Sequence, residues 1–350
     1  MAGLLVRWIT GVLFFAIGFL WAVFVVVTTV VTTLFGGKKG ITSFFEKKDH
    51  SKLPDVAKAV DVQHDFVSTK SGMKFEYVHA GEADKPLMLC MHGFPECWYS
   101  WRYLIEKFRD RYHIVAFHSR GYGNSDKPKE INKYHMNYLV NDVAEIIEAL
   151  GYPRATLVAH DWGGAIAWEV PKYFPHLVDK VIIMNAPNTT AARKGIGFSQ
   201  FLKSWYICLY QMPYLPELLV QSKDFGLLGS AFNGKKMGIK NKSNKLTREE
   251  IDVYKHYIGN NISGPLNYYR AINPIYRGFG LKAKTRKVVH PVLLIWGDQD
   301  AALGKELAEL AKGGATDITV AMIPGASHWV NQDEPEKVHE QMEKFLMQNQ

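Results

Sequence analysis

At 350 residues the chain exceeds one typical domain, although a single large α/β unit with an insertion reaches the same length. An apolar content of 47% with nine Trp supplies a sizeable core, and the net charge of +8 raises nucleic acid as a partner. Composition argues against that partner: Lys38, Lys39, Lys47 and Lys48 form one basic group and Lys235, Lys236, Lys240, Lys242 and Lys245 another, and neither lies among aromatics in a nucleic-acid module. Solvated loops and a membrane-facing collar fit these lysines better. Cys90, Cys97 and Cys208 are odd in number and lack metal-ligand spacing, so they fit a reducing compartment and imply no metal site.

The first element is an uncharged, Val- and Phe-rich run, Trp8–Phe35, of 28 residues. As a helix it extends about 42 Å at 1.5 Å per residue, against a hydrocarbon layer of roughly 30 Å. A cleaved signal peptide would have a far shorter apolar region and an A-x-A-like site, and neither is present. The run therefore reads as a single transmembrane anchor (8–35) with the bilayer as partner. The lysines that follow it outnumber Arg7 before it, which places the rest of the chain in the cytosol, with the endoplasmic reticulum the expected membrane. The free cysteines agree; sequons at Asn188, Asn241 and Asn261 point weakly the other way. Residues 36–60 read as a juxtamembrane linker, with 36–40 a flexible hinge and Ile41, Phe44 and Phe45 in the interface.

Two early strands are expected at 60–69 and 74–79, joined by a turn at Ser71-Gly72. The apolar run 86–91 reads as a fully buried strand ending in His92-Gly93-Phe94-Pro95, and 98–108 has helical spacing. A strand at 113–118 precedes the glycine-rich loop 120–126, and an amphipathic helix at 138–150 closes on Gly151. Strands at 155–159 and 180–186 follow. From 188 to 284 strand runs are absent and the chain is aromatic and patchily helical, which marks an inserted helical lid. Alternation resumes with strands at 292–296 and 318–323, a helix around 307–311 and a last helix at 334–347. Core segments 61–187 and 285–350 thus form a mostly parallel sheet with helices on both faces. No internal repeat or low-complexity segment follows the anchor.

Within this frame His160-Asp161-Trp162-Gly163-Gly164 joins a buried strand to a helix through a sharp turn. Small residues there fit a nucleophile elbow with Asp161 at its apex. Taken alone, the pentapeptide equally allows Asp161 to be a helix N-cap. Two downstream sites decide between these. Asp298 and Asp300 follow the strand at 292–296, and His328 follows the last strand. Nucleophile, acid and histidine then occur in the order that an elbow-based triad requires.

His92-Gly93-Phe94-Pro95-Glu96, Arg120-Gly121-Tyr122-Gly123, the elbow pentapeptide and Gly325-Ala326-Ser327-His328-Trp329 together resemble the epoxide hydrolases of the α/β-hydrolase fold, over roughly 61–345. With the anchor, the chain looks most like the membrane-anchored type of that family. The resemblance implies Asp161 as nucleophile, His328 as base and Asp300 as its orienting acid, leaving Asp298 to cap a turn. It implies Tyr206 and Tyr269 as donors to the epoxide oxygen, with Tyr268 the neighbouring alternative to Tyr269. The amides of Phe94 and Trp162 would form the oxyanion hole, with Phe94-Pro95 cis. Relatives usually carry Asp where His118 stands and often His where Asn188 stands, both outside the triad.

The implied reaction needs no metal or cofactor and no obligatory protein partner. Its substrate would be a small lipophilic epoxide, opened to a vicinal diol through an Asp ester. A haloalkane dehalogenase shares the Asp–His–acid logic but often has Asn at the position of Phe94 and lacks the tyrosine pair. A catalytically dead anchored scaffold is the non-enzymatic alternative. A serine esterase is excluded, because no Ser occupies an elbow pattern.

Overall fold

The computed structural model describes residues 2–259, 261–276 and 286–349. Its centre is an eight-stranded sheet in the order β1-β2-β4-β3-β5-β6-β7-β8. The strands are β1 (Gln63–Ser68), β2 (Lys74–Ala80), β3 (Leu87–Met91), β4 (His113–Phe117), β5 (Ala155–His160), β6 (Val178–Met184), β7 (Val292–Gly297) and β8 (Ile318–Ile323). β1 and β2 are antiparallel at one edge, and all pairs from β4 to β8 are parallel. Every residue of β3, β5 and β7 is buried, which is why these strands read as unbroken apolar runs rather than alternating ones.

Helices separate the parallel strands, as right-handed crossovers require. They include Arg102–Phe108, Met136–Ala149, Trp162–Ala167 and, at the end, Pro335–Gln348. The segment expected as a helix at 98–108 begins with a tight 3₁₀ turn, Trp98–Trp101, before the α-helix. The carboxyl ends of the parallel strands β3 to β8 all open to one side. Ligands in open α/β sheets bind there.

Between β6 and β7 the described chain is helical, through Phe198–Lys203, Trp205–Leu209, Leu215–Asn233, Arg248–Gly259 and Ser263–Ala271. The helix Leu215–Asn233 breaks at Ser222, and Lys223, Asp224 and Phe225 are left-handed. Asp224 is held in that turn by Lys255, His50 and the Lys48 amide. The end of the expected lid, 277–284, lies outside the described residues.

The N-terminal helix runs Ala2–Phe35, and its segment Trp8–Phe35 is long and apolar enough to cross a membrane by length and composition. The expected hinge at 36–40 is instead largely helical: Gly37–Phe44 forms a second helix. Gly37, at φ 57°, turns the chain, and Gly40 lies close enough to the Thr33 carbonyl that a side chain would not fit. The glycines here permit tight reversal rather than looseness.

Candidate active site

β5 delivers Asp161 into a backbone conformation with φ 50° and ψ −117°, which strains any L-residue other than glycine. Gly163 makes the turn sterically feasible, since a Cβ there would fall 2.2 Å from the Met91 carbonyl oxygen. Asp161 makes no side-chain cap bond to the helix that follows. Its Oδ1 instead accepts the Phe94 amide at 2.9 Å, while Oδ2 lies 3.5 Å from His328 Nε2. About 16% of the side chain remains open, into the cavity. The strained apex and the absent cap exclude the helix-capping reading.

His328 is oriented from behind. Its Nδ1 donates to Asp300 Oδ2 at 2.7 Å, and its carbonyl accepts His160 Nε2 at 2.8 Å. Asp300 also accepts the amides of Ala302 and Leu303 on Oδ1, and the Asn185 side chain on Oδ2. Asn185 closes this set by accepting the Gly297 amide at 3.1 Å. Asp298, in contrast, accepts the Gly325 amide at the exposed end of β8 and caps that turn.

Burial works to raise the pKa of both carboxylates, but the imidazolium of His328 and the bound N–H groups outweigh it and hold both below the ordinary value. Burial likewise disfavours His328 as a cation. The Asp300 and Asp161 charges overcome this and push its pKa well above the ordinary value. The resting state is therefore a charged Asp161–His328–Asp300 array.

Tyr206 and Tyr269 line the same cavity as Asp161, His328 and Phe94. Their rings meet at 5.7 Å, and Tyr269 packs edge-on against Phe94 and Trp162. Burial raises both phenol pKa values, with the Asp161 charge the next cause in each case. Neither hydroxyl has a hydrogen-bond partner among the described residues, so both are available to a ligand. Tyr268 does not share this position: its hydroxyl donates to the Arg120 carbonyl at 3.0 Å, under the glycine-rich loop. The peptide Phe94–Pro95 is cis. Trp162, whose amide heads the elbow helix, packs its ring edge-on against Tyr269.

Sequence reasoning missed several supporting groups. Glu96, fully buried, accepts the Gly93 amide and pairs with His160 Nδ1 at 2.6 Å. Since His160 also reaches the His328 carbonyl, this pair ties the loop after β3 to the loop carrying His328. A carboxylate inside an apolar motif requires such a partner, and that was the available signal. Tyr210, a turn beyond Tyr206, packs on Phe94 and Tyr269 as a third phenol in the cavity. The His118 departure has a counterpart on β2: Glu76 accepts His118 Nδ1 at 2.7 Å and the Asn124 amide at 2.9 Å, so a carboxylate still anchors the glycine-rich loop. Donated bonds hold Glu76 at about 2 despite burial. Asn188 caps the helix Thr189–Lys194 through the Ala191 amide.

The cavity occupies about 310 Å³ and is walled chiefly by Phe94, Leu202, Trp205, Leu227, Met237 and the tyrosines. That volume suits a small ligand, with charge confined to Asp161, His328 and two lysines, Lys203 and Lys236.

Comparison with known proteins agrees with this geometry. Residues 86–335 match the family described as alpha/beta hydrolase fold. Epoxide hydrolase 1 of Caenorhabditis elegans is 42% identical over 87% of this chain and 74% of its own length. The chain belongs to the epoxide hydrolases of the α/β-hydrolase fold. Human epoxide hydrolase 4 is 38% identical over 81% of the chain and 79% of its own length. Epoxide hydrolase 3 of Xenopus tropicalis is 35% identical over 97% and 94%. Among solved structures, an epoxide hydrolase from Bacillus megaterium, complexed with a naphthyloxy-propanediol product, superposes with a TM-score of 0.71 at 28% identity, over 81% of this chain and all of the other. As an epoxide hydrolase, the chain has a three-membered ether as its substrate.

Proposed function

We propose that this epoxide hydrolase opens lipophilic epoxides through a covalent Asp161 ester. The observation that carries the mechanism is the division of the Asp161 carboxylate: Oδ1 sits on the Phe94 amide, while Oδ2 faces His328 and the cavity. A carboxylate needs no proton removed before it attacks, so Oδ2 bonds to an epoxide carbon and the carbon–oxygen bond of the ring breaks. The leaving alkoxide takes a proton from the phenols of Tyr206 and Tyr269, a contribution of about 10²–10⁴-fold for a positioned acid. Oδ1 becomes the ester carbonyl, already seated on the Phe94 amide, and the amides of Phe94 and Trp162 receive the tetrahedral oxyanion.

Esterification removes the Asp161 charge that helps keep His328 protonated. The imidazolium then returns its proton, through solvent, to the phenolate left by the first step, and the neutral ring, held by Asp300, takes a proton from water as the hydroxide adds to the ester carbonyl. Diol leaves with the former Oδ2, and Asp161 is regenerated. The apolar walls favour lipophilic substrates. A haloalkane departs as halide and needs no proton donor, so the free phenol pair favours an epoxide. The joined triad weighs against an inert scaffold. His328→Gln should open epoxide and stop, leaving the substrate mass on the peptide that carries Asp161; no mass gain would refute the covalent route.

We also infer that the N-terminal helix anchors the protein in a single pass with the folded domain in the cytosol, as in the endoplasmic reticulum, from the lysines after Phe35. Asn188 is buried, so Asn241 and Asn261 are the sequons that test orientation in cells. Glycan on either one contradicts it.

A further inference from the structure

The N-terminal helix does not stand clear of the folded domain. Gly11, Gly18 and Ala22 are buried on one stripe of it, and the stripe faces the lid. A Cβ on Gly11 would lie 2.3 Å from Ile275, and one on Gly18 would lie 2.2 Å from the Cys208 carbonyl oxygen. Small residues at this spacing let two helical backbones approach closely, as they do between helices in membranes. Phe15 packs edge-on against Tyr276, and Trp21 against Trp205 at 5.2 Å. Trp205 also lines the substrate cavity, so one indole separates the anchor from the site.

This packing constrains depth. From Gly11 to Val25 the helix rises about 21 Å at 1.5 Å per residue, much of a roughly 30 Å hydrocarbon layer. With the lid packed along that stretch, the helix cannot lie in hydrocarbon while the lid stays in water. The outward side of the lid is suited to lipid. Phe198 and Tyr214 are 80% and 86% exposed, and Ile196 and Leu202 are exposed beside them. No Asp or Glu occurs from 188 to 216 or before Glu46, whereas Arg193, Lys194 and Lys203 are present, as headgroup phosphates favour. The buried polar side chains at the contact are satisfied internally: Asn273 bonds Gln211, and Gln211 donates to the Tyr269 carbonyl at 2.8 Å.

We propose that the exposed apolar face of the lid, at Ile196, Phe198, Leu202 and Tyr214, is seated in the apolar layer of the bilayer beside the N-terminal helix, with the cavity mouth at Leu202 and Trp205 opening onto lipid. The proposal rests on the anchor reading, and the two can fail separately. The native thiols are all buried, so the full-length protein accepts a nitroxide at introduced cysteines, with unmodified protein as blank. Phe198→Cys and Leu202→Cys report the lid, Val23→Cys the outer face of the anchor, and Glu340→Cys the remote surface. In vesicles of phosphatidylcholine and phosphatidylserine, spin relaxation is compared with oxygen and with a water-soluble nickel chelate. The expected result is oxygen-dominated relaxation at 198 and 202 matching position 23, with nickel dominant at 340. Oxygen at 23 but nickel at 198 and 202 overturns the seated lid and leaves the anchor intact. Nickel at all sites removes the anchor and the proposal together. Protection from both reagents at 198 and 202 indicates protein cover, such as a second copy, and also overturns it.

Discussion

The triad and the tyrosine pair meet in one cavity but are held in opposite ways. Asp161, Asp300 and His328 follow β5, β7 and β8, and their polar atoms are engaged by fixed partners. Asp300 alone accepts from Ala302, Leu303, Asn185 and His328. Tyr206 and Tyr269 ride on lid helices and are located by ring contacts with Phe94, Trp162 and Tyr210. Groups that carry charge in the resting enzyme need solvation by dipoles that do not move, and strand ends supply it. Donors meant for a transient alkoxide must be unpaired beforehand, so shape has to position them instead of hydrogen bonds.

The largest effect should fall on the sheet-borne side. Asp161→Ala is expected to abolish ester formation, about 10⁴-fold or more, on the scale of a lost nucleophile. Loss of a helix cap would cost only about 0.5–2 kcal/mol of stability and leave turnover intact, so single-turnover quench and thermal melting together separate the two.

On the lid side, Tyr206→Phe and Tyr269→Phe should each slow alkylation by about 10²-fold, with the double variant nearly inactive. Tyr268→Phe removes a bond to the Arg120 carbonyl rather than a donor to substrate. It should cost about 1 kcal/mol of stability with alkylation unchanged. Equal alkylation defects at 268 and 269 would dissolve the distinction between donor and packing residue.

Acidity should separate the steps. Asp161 has a lowered pKa and stays anionic below its ordinary 3.8, so alkylation persists as pH falls. His328 must be neutral to activate water, and in the ester the Asp300 charge still favours its protonated form, so acid stops this step first. Ester should therefore accumulate at low pH, as intact mass after rapid quench would record. At the alkaline end the phenols, raised above the ordinary 10.0, should still donate where free tyrosine ionises.

The smallest effect concerns what steadies the lid. Gly18→Leu should push against the Cys208 carbonyl two residues from Tyr206 and slow alkylation by about an order of magnitude, as a sub-ångström misplacement of a donor does. Ester hydrolysis should be untouched, because the triad belongs to the sheet. Val23→Leu, on the exposed side of the helix, serves as control.

The same contrast explains what the sequence made legible. Asp161 was readable because an elbow needs a buried strand, small residues and a helix in direct succession. His328 was readable because it follows the last strand. Glu96 and His160 stood inside recognised motifs, yet their pairing spans 64 residues and depends on how two loops fold together. Asn185 carries no sequence signal beyond a left-handed φ that only coordinates reveal. The N-terminal helix is apolar all round, so no periodicity distinguished its lid-facing stripe, and Gly11 and Gly18 looked like any other glycines in an apolar run. The glycines at 36–40 suggested a hinge because glycine permits both freedom and close packing, and the pattern alone does not say which.

Covalent attack by Asp161 is tested most directly by the origin of the oxygen in the first diol. With enzyme in excess over epoxide in ¹⁸O-water, the proposed mechanism takes the oxygen added to carbon from Asp161 Oδ2, and water replaces it only during hydrolysis. One turnover should then give unlabelled diol and leave ¹⁸O on the peptide containing Asp161. Labelled diol with an unlabelled peptide would mean that water attacks the epoxide itself and would contradict the ester mechanism.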